Sequence, residues 1–153
     1  MIAVASPLTI AQKGLASAIY AKDQIIASYL AQDAIEYIIN ASGKNIADEN
    51  DWLDKITGSG NCDTECRIST DKSDFTSVDA IENCGGSCPF IKYDDSSHIY
   101  GHISGSDSSF KRSVIVDEIV TDVEALITVT MSWQDKGTTR TLNFYTRIYN
   151  WKS

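Results

Sequence analysis

The chain has 153 residues, of which 42% are hydrophobic, and a formal net charge of −8. This length and apolar content suit one globular domain over residues 1–153 and argue against a disordered chain. Because the basic residues are scattered and the net charge is negative, nucleic-acid phosphate and anionic lipid are disfavoured as partners. We expect no nucleic-acid site on this domain.

The first predicted element is a long helix over residues 6–41. Ser6 can cap its first turn, and Pro7 suits the first helical position, where no backbone N–H is needed. Gly43 is predicted to end the helix in a left-handed cap. At about 1.5 Å per residue the helix would measure roughly 50 Å, longer than the ~30 Å of a small domain. Part of it must project from the domain, or pack against something that this chain does not supply.

Apolar residues recur along this helix at spacings of three, four and seven, which predicts one apolar stripe. We assign Tyr29 to Tyr37 to the domain core, and residues 2–21 to a segment that packs against copies of itself. Alanines on the other sides leave small surfaces that let helices approach closely. Residues 2–5 look like the tail of a longer apolar segment, although no apolar run here reaches the ~18 to 20 residues of a membrane span. The candidate assembly residues are Leu8, Ala11, Leu15, Ile19 and Ile26.

Residues 42–109 form a variable, cysteine-bearing region, of which residues 58–109 are rich in Gly, Ser, Asp and Asn. Trp52 and Leu53 are expected to return toward the core. Short strands are expected within 90–93 and 98–103, the two apolar stretches of this region. The region is predicted to be loop with short strands, held together by cysteines and not by a deep core.

The cysteines are even in number and confined to this region, which favours an oxidising compartment and two disulfides. Three pairings are possible. A three-residue gap can close within a turn but not along an extended strand, so we favour the two local pairs. These are Cys62 with Cys66 and Cys84 with Cys88.

The sequence gives little indication of a metal site or of a catalytic site. Four cysteines could bind zinc, but the usual knuckle is C-x-x-C and both halves here contain an extra residue. His98 and His102 are interpreted as surface side chains, since no glutamate follows the first as a metalloprotease would need. An acidic group could bind calcium, yet it lacks the EF-hand loop; it comprises Asp71, Asp74, Asp94, Asp95 and Asp107. With no nucleophile elbow and no phosphate-binding loop, we expect no catalytic residue, metal or cofactor.

The C-terminal part predicts a sheet, with strands over 110–120, 124–133 and 138–151. The middle strand alternates, and its inward set is Ala125, Ile127, Val129, Met131 and Trp133. Asp135-Lys136-Gly137 is predicted to be the hairpin turn, and Leu142, Phe144 and Ile148 to face inward. The fold class is therefore α+β, a long N-terminal helix packed against an antiparallel meander over residues 110–151.

Two stretches resemble bacterial type IV pilins and pseudopilins. Residues 29–38 read Tyr-Leu-Ala-Gln-Asp-Ala-Ile-Glu-Tyr-Ile near the end of an alanine-rich helix, followed by Asn40 and Asn45. Residues 127–135, 137–142 and 149–151 are similar to the final sheet of pilin-like proteins. The leader and the apolar span with an early glutamate, the most specific signature of that family, do not occur here, so none of that region's functional residues is carried over.

The resemblance implies a pilin-like fold and a non-enzymatic subunit of an extracellular filament, membrane-anchored before assembly. Its partners would be other pilin subunits, with membrane contact only through a segment missing from this chain. Such filaments serve attachment, motility, DNA uptake or secretion. The alternative is a secreted or cell-surface binding module that recognises carbohydrate or protein through residues 58–109.

Overall fold

The computed structural model describes residues 5–58, 61–72 and 80–151, with side chains from residue 9 onward. In these residues the chain forms one helix and one seven-stranded antiparallel sheet, an α+β arrangement. The helix α1 spans Ala5–Ala47. The strands are β1 Cys66–Ile68, β2 Ile81–Asn83, β3 Phe90–Asp94, β4 Ile99–Gly101, β5 Ser106–Val120, β6 Glu124–Asp135 and β7 Thr138–Tyr149.

The strands β5, β6 and β7 form the predicted meander. The β6–β7 register is unbroken from Glu124–Tyr149 to Asp135–Thr138. Lys136 and Gly137 connect these strands with positive φ at both positions, as a two-residue type I′ hairpin requires. The five predicted inward residues of β6 are all buried, so the period-2 prediction is confirmed.

The cysteine-bearing region belongs to the same sheet. On the edge away from β6, β5 pairs first with β3, where Phe90 lies opposite Lys111, and then with β1, where Cys66 lies opposite Val114. The outer strands β4 and β2 pair with β3 and β1. Because β5 begins at Ser106, four residues earlier than predicted, it is long enough to pair with both strands.

The helix does not end at Gly43, and that prediction is wrong. It continues to Ala47 and closes with a Schellman-type turn, in which Glu49 has a φ of 61° and the N–H of Asn50 donates to the carbonyl of Asn45 at 2.9 Å. The side chain of Asn45 is buried and donates from Nδ2 to the carbonyl of Asp54 at 2.8 Å. This tertiary contact holds the last turn in helical form.

The helix face that contacts the sheet consists mostly of small residues and coincides only partly with the predicted stripe. Leu30 and Ala34 of the stripe are buried, but at about 100° per residue the centre of the stripe lies roughly a quarter turn away from the centre of the buried face. Tyr29, which we assigned to the core, is 69% exposed, whereas Tyr37 is half-buried. Alanine lets the helix axis approach the sheet closely, so Ala27 and Ala31 pack inside this chain instead of against other helices. The buried set is Ala27, Leu30, Ala31, Ala34, Ile38 and Ala41.

Trp52 and Leu53 return to the core as predicted. Aromatic rings close the core at the opposite end: Phe110 and Trp133 lie 6.1 Å apart between centroids, and Trp133 and Tyr20 lie 6.4 Å apart. The core therefore extends along the helix from Tyr20 to Ala41, and it leaves the preceding turns uncovered by the sheet.

Candidate functional site

The N-terminal turns of α1 form an exposed surface, which we call the projecting segment (residues 9–19). Within it Ile10, Leu15 and Ile19 are 72%, 64% and 47% exposed, and Ala11 is exposed as well. Leu8 lies in the helix, but its side chain is outside the described residues. The remaining candidate assembly residue, Ile26, is half-buried and packs against the core, so only part of the predicted set lies on a free surface.

The projecting segment lies beyond the sheet. Tyr20 is the first apolar side chain of the described helix that packs against the core, and its ring also lies 5.2 Å from Cζ of Arg140. At about 1.5 Å per residue, the helical residues before it extend roughly 20 Å from the domain. An isolated helical arm of this length gains little from its own hydrogen bonds, so packing against another surface would stabilise it.

The chemical character of the arm favours contact with apolar surfaces. Lys13 is the only charged residue between positions 9 and 21. Small side chains alternate with the large apolar ones, which permits close helix–helix packing. Within the described residues, no helix combines the length and the apolar character needed to cross a membrane. Exposed apolar side chains close together on one arm are a feature typical of interaction surfaces.

The four cysteines form the two predicted local disulfides, Cys62–Cys66 and Cys84–Cys88. The first is fully buried, with Cys66 at the start of β1, and the second lies in a loop whose residues Gly85, Gly86 and Ser87 are exposed. Since these bonds use every cysteine sulfur, none is left to bind zinc.

The two histidines differ in environment. His98 is exposed in the β3–β4 turn, and its Nδ1 lies 3.1 Å from the hydroxyl of Tyr93. His102 is half-buried, which corrects the prediction that both lie at the surface. Burial, together with the positive charges of Arg112 and Arg67, lowers the pKa of His102 to about 4. The two histidines therefore form no joint metal site.

Two residues of the acidic group, Asp94 and Asp71, accept hydrogen bonds from backbone N–H or hydroxyl groups. Asp94 accepts hydrogen bonds from the hydroxyl and N–H of Ser96 and the hydroxyl of Ser104, which hold the pKa of its carboxyl well below the usual range. Asp71 accepts from the N–H groups of His102 and Ile103. Asp74 lies outside the described residues. Among the described residues, no group of three or more potential metal ligands converges.

Arg112 is a buried charged residue that the sequence pattern did not single out. It is 1% exposed on the inward face of β5, between Phe110 and Val114. The sequence did contain a signal for this burial, because Arg112 alternates with these two apolar residues and therefore lies on the same face of β5. Its guanidinium donates to the carbonyls of Leu30 and Ile68, which are structural contacts between elements.

Three clefts of similar size open on the surface, and each has a different chemistry. One, of about 370 Å³, lies beside α1 and is lined by Asp33, Glu36, Lys44 and Lys72. A second, of about 350 Å³, is mainly apolar and lies between α1 and the end of β7, next to Trp151. The third, also about 350 Å³, lies on the outer face of the sheet and is lined mainly by hydroxyl groups. None of these three is lined by a histidine, so none pairs a nucleophile with an imidazole base.

Comparison with known protein families, curated proteins and solved structures found no match. The structure defines the class as an α+β domain with a projecting apolar helix and two disulfides.

Proposed function

We propose that the chain is the globular head and helical stalk of a pilin-like filament subunit, located outside the cell and serving attachment, motility or DNA uptake. The observation that carries this proposal is the projecting segment, a helical arm with exposed Leu15 and Ile19 that the chain's own sheet does not cover. The resemblance of residues 29–38 and of the final strands to pilins supports the same function.

Helical assembly explains features that a monomer does not need. A surface on the arm that packs against a different surface of the next subunit makes a heterologous contact, and such contacts produce filaments when the rotation does not close a ring. Copies of a nearly uncharged, alanine-rich arm can pack closely in a filament core, whereas the net charge of −8 keeps the heads soluble. The two disulfides suit an oxidising, extracellular location.

The test uses the native protein in the cells that make it. The double variant Leu15→Glu/Ile19→Glu places two charges on the candidate assembly face, and Ser17→Glu/Ala21→Glu places the same charges at the same spacing on the opposite side of the helix. All four residues are exposed, so neither change disturbs the core. Surface filaments are counted by electron microscopy with gold-labelled antibodies against the head.

We expect labelled filaments in wild-type cells and in the Ser17→Glu/Ala21→Glu strain, and none in the Leu15→Glu/Ile19→Glu strain, which should still make folded, oxidised subunit. Wild-type cells without labelled filaments would refute the proposal. Equal loss in both variants would show that the candidate assembly face is not the contact surface.

A further inference from the structure

The hydroxyl-lined cleft lies on the outer face of the sheet, away from α1 and from the projecting segment. The disulfide loop 84–88 forms one wall, and the strands β5, β6 and β7 form the floor. Its volume of about 350 Å³ is within the range of small-ligand sites. The lining residues that matter here are Glu65, Ser87, Lys111, Thr130, Ser132 and Thr141.

The floor of the cleft is a regular polar array. Lys111, Ser132 and Thr141 lie opposite one another across the three strands, and Ser113 and Thr130 form the neighbouring row. Strands are about 4.8 Å apart and same-face residues along a strand about 7 Å apart, so the side chains present a grid of hydroxyl groups. Unbroken pairing of β6 with both neighbours in this stretch keeps the grid rigid.

Most of the hydroxyl groups in the cleft have no hydrogen-bond partner among the described residues. The hydroxyl of Ser113 donates to the carboxylate of Glu65 at 3.3 Å. The hydroxyls of Ser87, Thr130, Ser132 and Thr141 form no hydrogen bond with another described residue, although several other hydroxyls of the domain are bonded. Each free hydroxyl can both donate and accept a hydrogen bond.

The charges in the cleft balance. Glu65 and Lys111 contribute one charge of each sign, and Arg112, which also borders the cleft, holds its guanidinium on the core side against the carbonyls of Leu30 and Ile68. An anion would meet the Glu65 carboxylate, and an apolar ligand would leave the hydroxyls without partners. A neutral ligand with many hydroxyls satisfies all of these groups.

The aromatic ring of Phe90 lies next to Lys111, one of the lining residues. The Nζ atom of Lys111 lies 4.5 Å from the ring centroid of Phe90, and Phe90 is 37% exposed. Lys111 therefore covers one face of this ring, and Phe90 is not among the residues that line the cleft, so the hydroxyl array carries the recognition of a ligand.

We propose that this cleft binds a neutral oligosaccharide. The proposal goes beyond filament assembly and does not depend on it, because the cleft and the projecting segment share no residue. It also gives the carbohydrate alternative a location, mainly on the sheet and only partly within residues 58–109.

The experiment is a ¹⁵N NMR titration of the full chain. An immobilised panel of neutral hexose, N-acetylhexosamine and deoxyhexose oligosaccharides identifies the probe, which is then added in solution. Inorganic phosphate and a heparin hexasaccharide serve as anionic comparisons. We expect a neutral oligosaccharide to shift the amide signals of Ser87, Lys111, Thr130 and Ser132, and the anions to leave them unchanged.

Two variants and a matched control locate the site. Thr130→Val/Ser132→Ala removes two hydroxyls from the floor and should weaken binding about tenfold, a loss typical of two hydrogen bonds. Ser87→Ala, in the exposed loop, cannot disturb the sheet and should weaken binding by about threefold. Thr128→Val lies on the same face of β6 outside the cleft lining and should leave the affinity unchanged.

Three results would overturn the proposal. The first is the absence of binding to any neutral oligosaccharide of the panel. The second is an affinity that Thr128→Val lowers as much as Thr130→Val/Ser132→Ala. The third is an equal response of the same amides to phosphate or to the heparin hexasaccharide, which would make the cleft an anion site.

Discussion

Arg112 Nη1 donates a hydrogen bond to the backbone carbonyl of Leu30 at 2.6 Å, inside the core between β5 and α1. Its Nη2 donates to the carbonyl of Ile68 in β1 at 2.7 Å, and the carboxylate of Asp33 lies 3.6 Å away. Burial lowers the pKa of Arg112 to about 10, while Asp33 acts in the opposite direction, so the group stays charged at neutral pH. One side chain thus connects three elements that are distant in sequence.

Replacing Arg112 by methionine should destabilise the domain by about 2 kcal/mol. Methionine keeps most of the volume but removes both guanidinium hydrogen bonds, although the Leu30 carbonyl keeps its helical N–H donor within α1. Bonds from a charged donor contribute about 1.5 to 3 kcal/mol each before the relief of desolvation is counted. Urea unfolding measures the change. A variant more stable than wild type would show that the desolvation cost of the guanidinium exceeds the value of its hydrogen bonds.

His102 makes stability depend on pH. Its folded pKa, about 4, is below its ordinary value of 6.5, so the unfolded chain takes up the proton first as the pH falls. The contribution of neutral His102 is complete above about pH 6.5 and is lost as the pH falls toward 4. Its charged neighbours are Arg112, Arg67 and Asp71, and only Asp71 favours the protonated ring.

Allowing for the partly exposed ring, we expect the wild type to lose about 1.5 kcal/mol between pH 7 and pH 4.5 on account of His102. His102→Gln should remove this part of the pH dependence in urea unfolding at the two pH values. The control His98→Gln replaces an exposed histidine and should retain the wild-type slope. A wild-type slope in His102→Gln would contradict the assignment.

The two disulfides should differ in how readily they are reduced. Cys84 is half-buried in a loop whose central residues are exposed, and Cys88 is 7% exposed, whereas both residues of Cys62–Cys66 are fully buried. Under native conditions, dithiothreitol should therefore expose Cys84 and Cys88 to alkylation first, as measured by peptide mass spectrometry. If both pairs are alkylated together, reduction proceeds through global unfolding and burial gives no selectivity.

Removing each disulfide by mutation should also lower the free energy of unfolding by different amounts for the two bonds. For a loop this short, chain entropy predicts a cost of about 2 kcal/mol for either bond. Cys84→Ser/Cys88→Ser should stay near or below that value and loosen mainly the surface loop. Cys62→Ala/Cys66→Ala should cost more because it also leaves a gap in the core next to Val114, the partner of Cys66 in the sheet. Equal losses of stability would contradict the role of burial.

The same substitution should have opposite effects at two glycines. A Cβ at Gly101 would lie 2.8 Å from Cβ of Asp71 and closer still to its carboxylate, which accepts the N–H groups of His102 and Ile103. Gly101→Ala should cost about 1 to 3 kcal/mol, because the carboxylate must move away and leave these donors. Urea unfolding measures the loss, and an unchanged midpoint would show that Asp71 adjusts freely.

Gly14→Ala is the matched substitution, since a Cβ there meets nothing within 4 Å. Alanine should stabilise the projecting segment locally by about 0.5 to 1 kcal/mol, because glycine loses more backbone entropy in a helix. Native-state hydrogen exchange of residues 10–18 should slow by a few-fold, without a change in the exchange of β6. Faster exchange there would contradict the helical state of this segment.

Several elements were predictable from local chemistry. The alternation of β6 placed Met131 and Trp133 in the core, because a strand has only two faces and one of them must be apolar. Lys136-Gly137 defined the hairpin, because few residues adopt positive φ at both turn positions. The local disulfides followed from the short spacing of their cysteines.

The sequence by itself therefore determined the α+β class, the strand faces, the hairpin and the excess length of the helix. Only the tertiary structure decided which helix face is buried, where the helix ends, and that Arg112 and His102 lie inside. Apolar residues occur on all sides of this helix, so several of its faces could have packed against the sheet. The buried face is the one whose alanines allow the closest approach between helix and sheet. The helix continues past Gly43 because the buried side chain of Asn45 hydrogen-bonds the carbonyl of Asp54 in the following turns, a contact that no helix-end pattern in the sequence indicates.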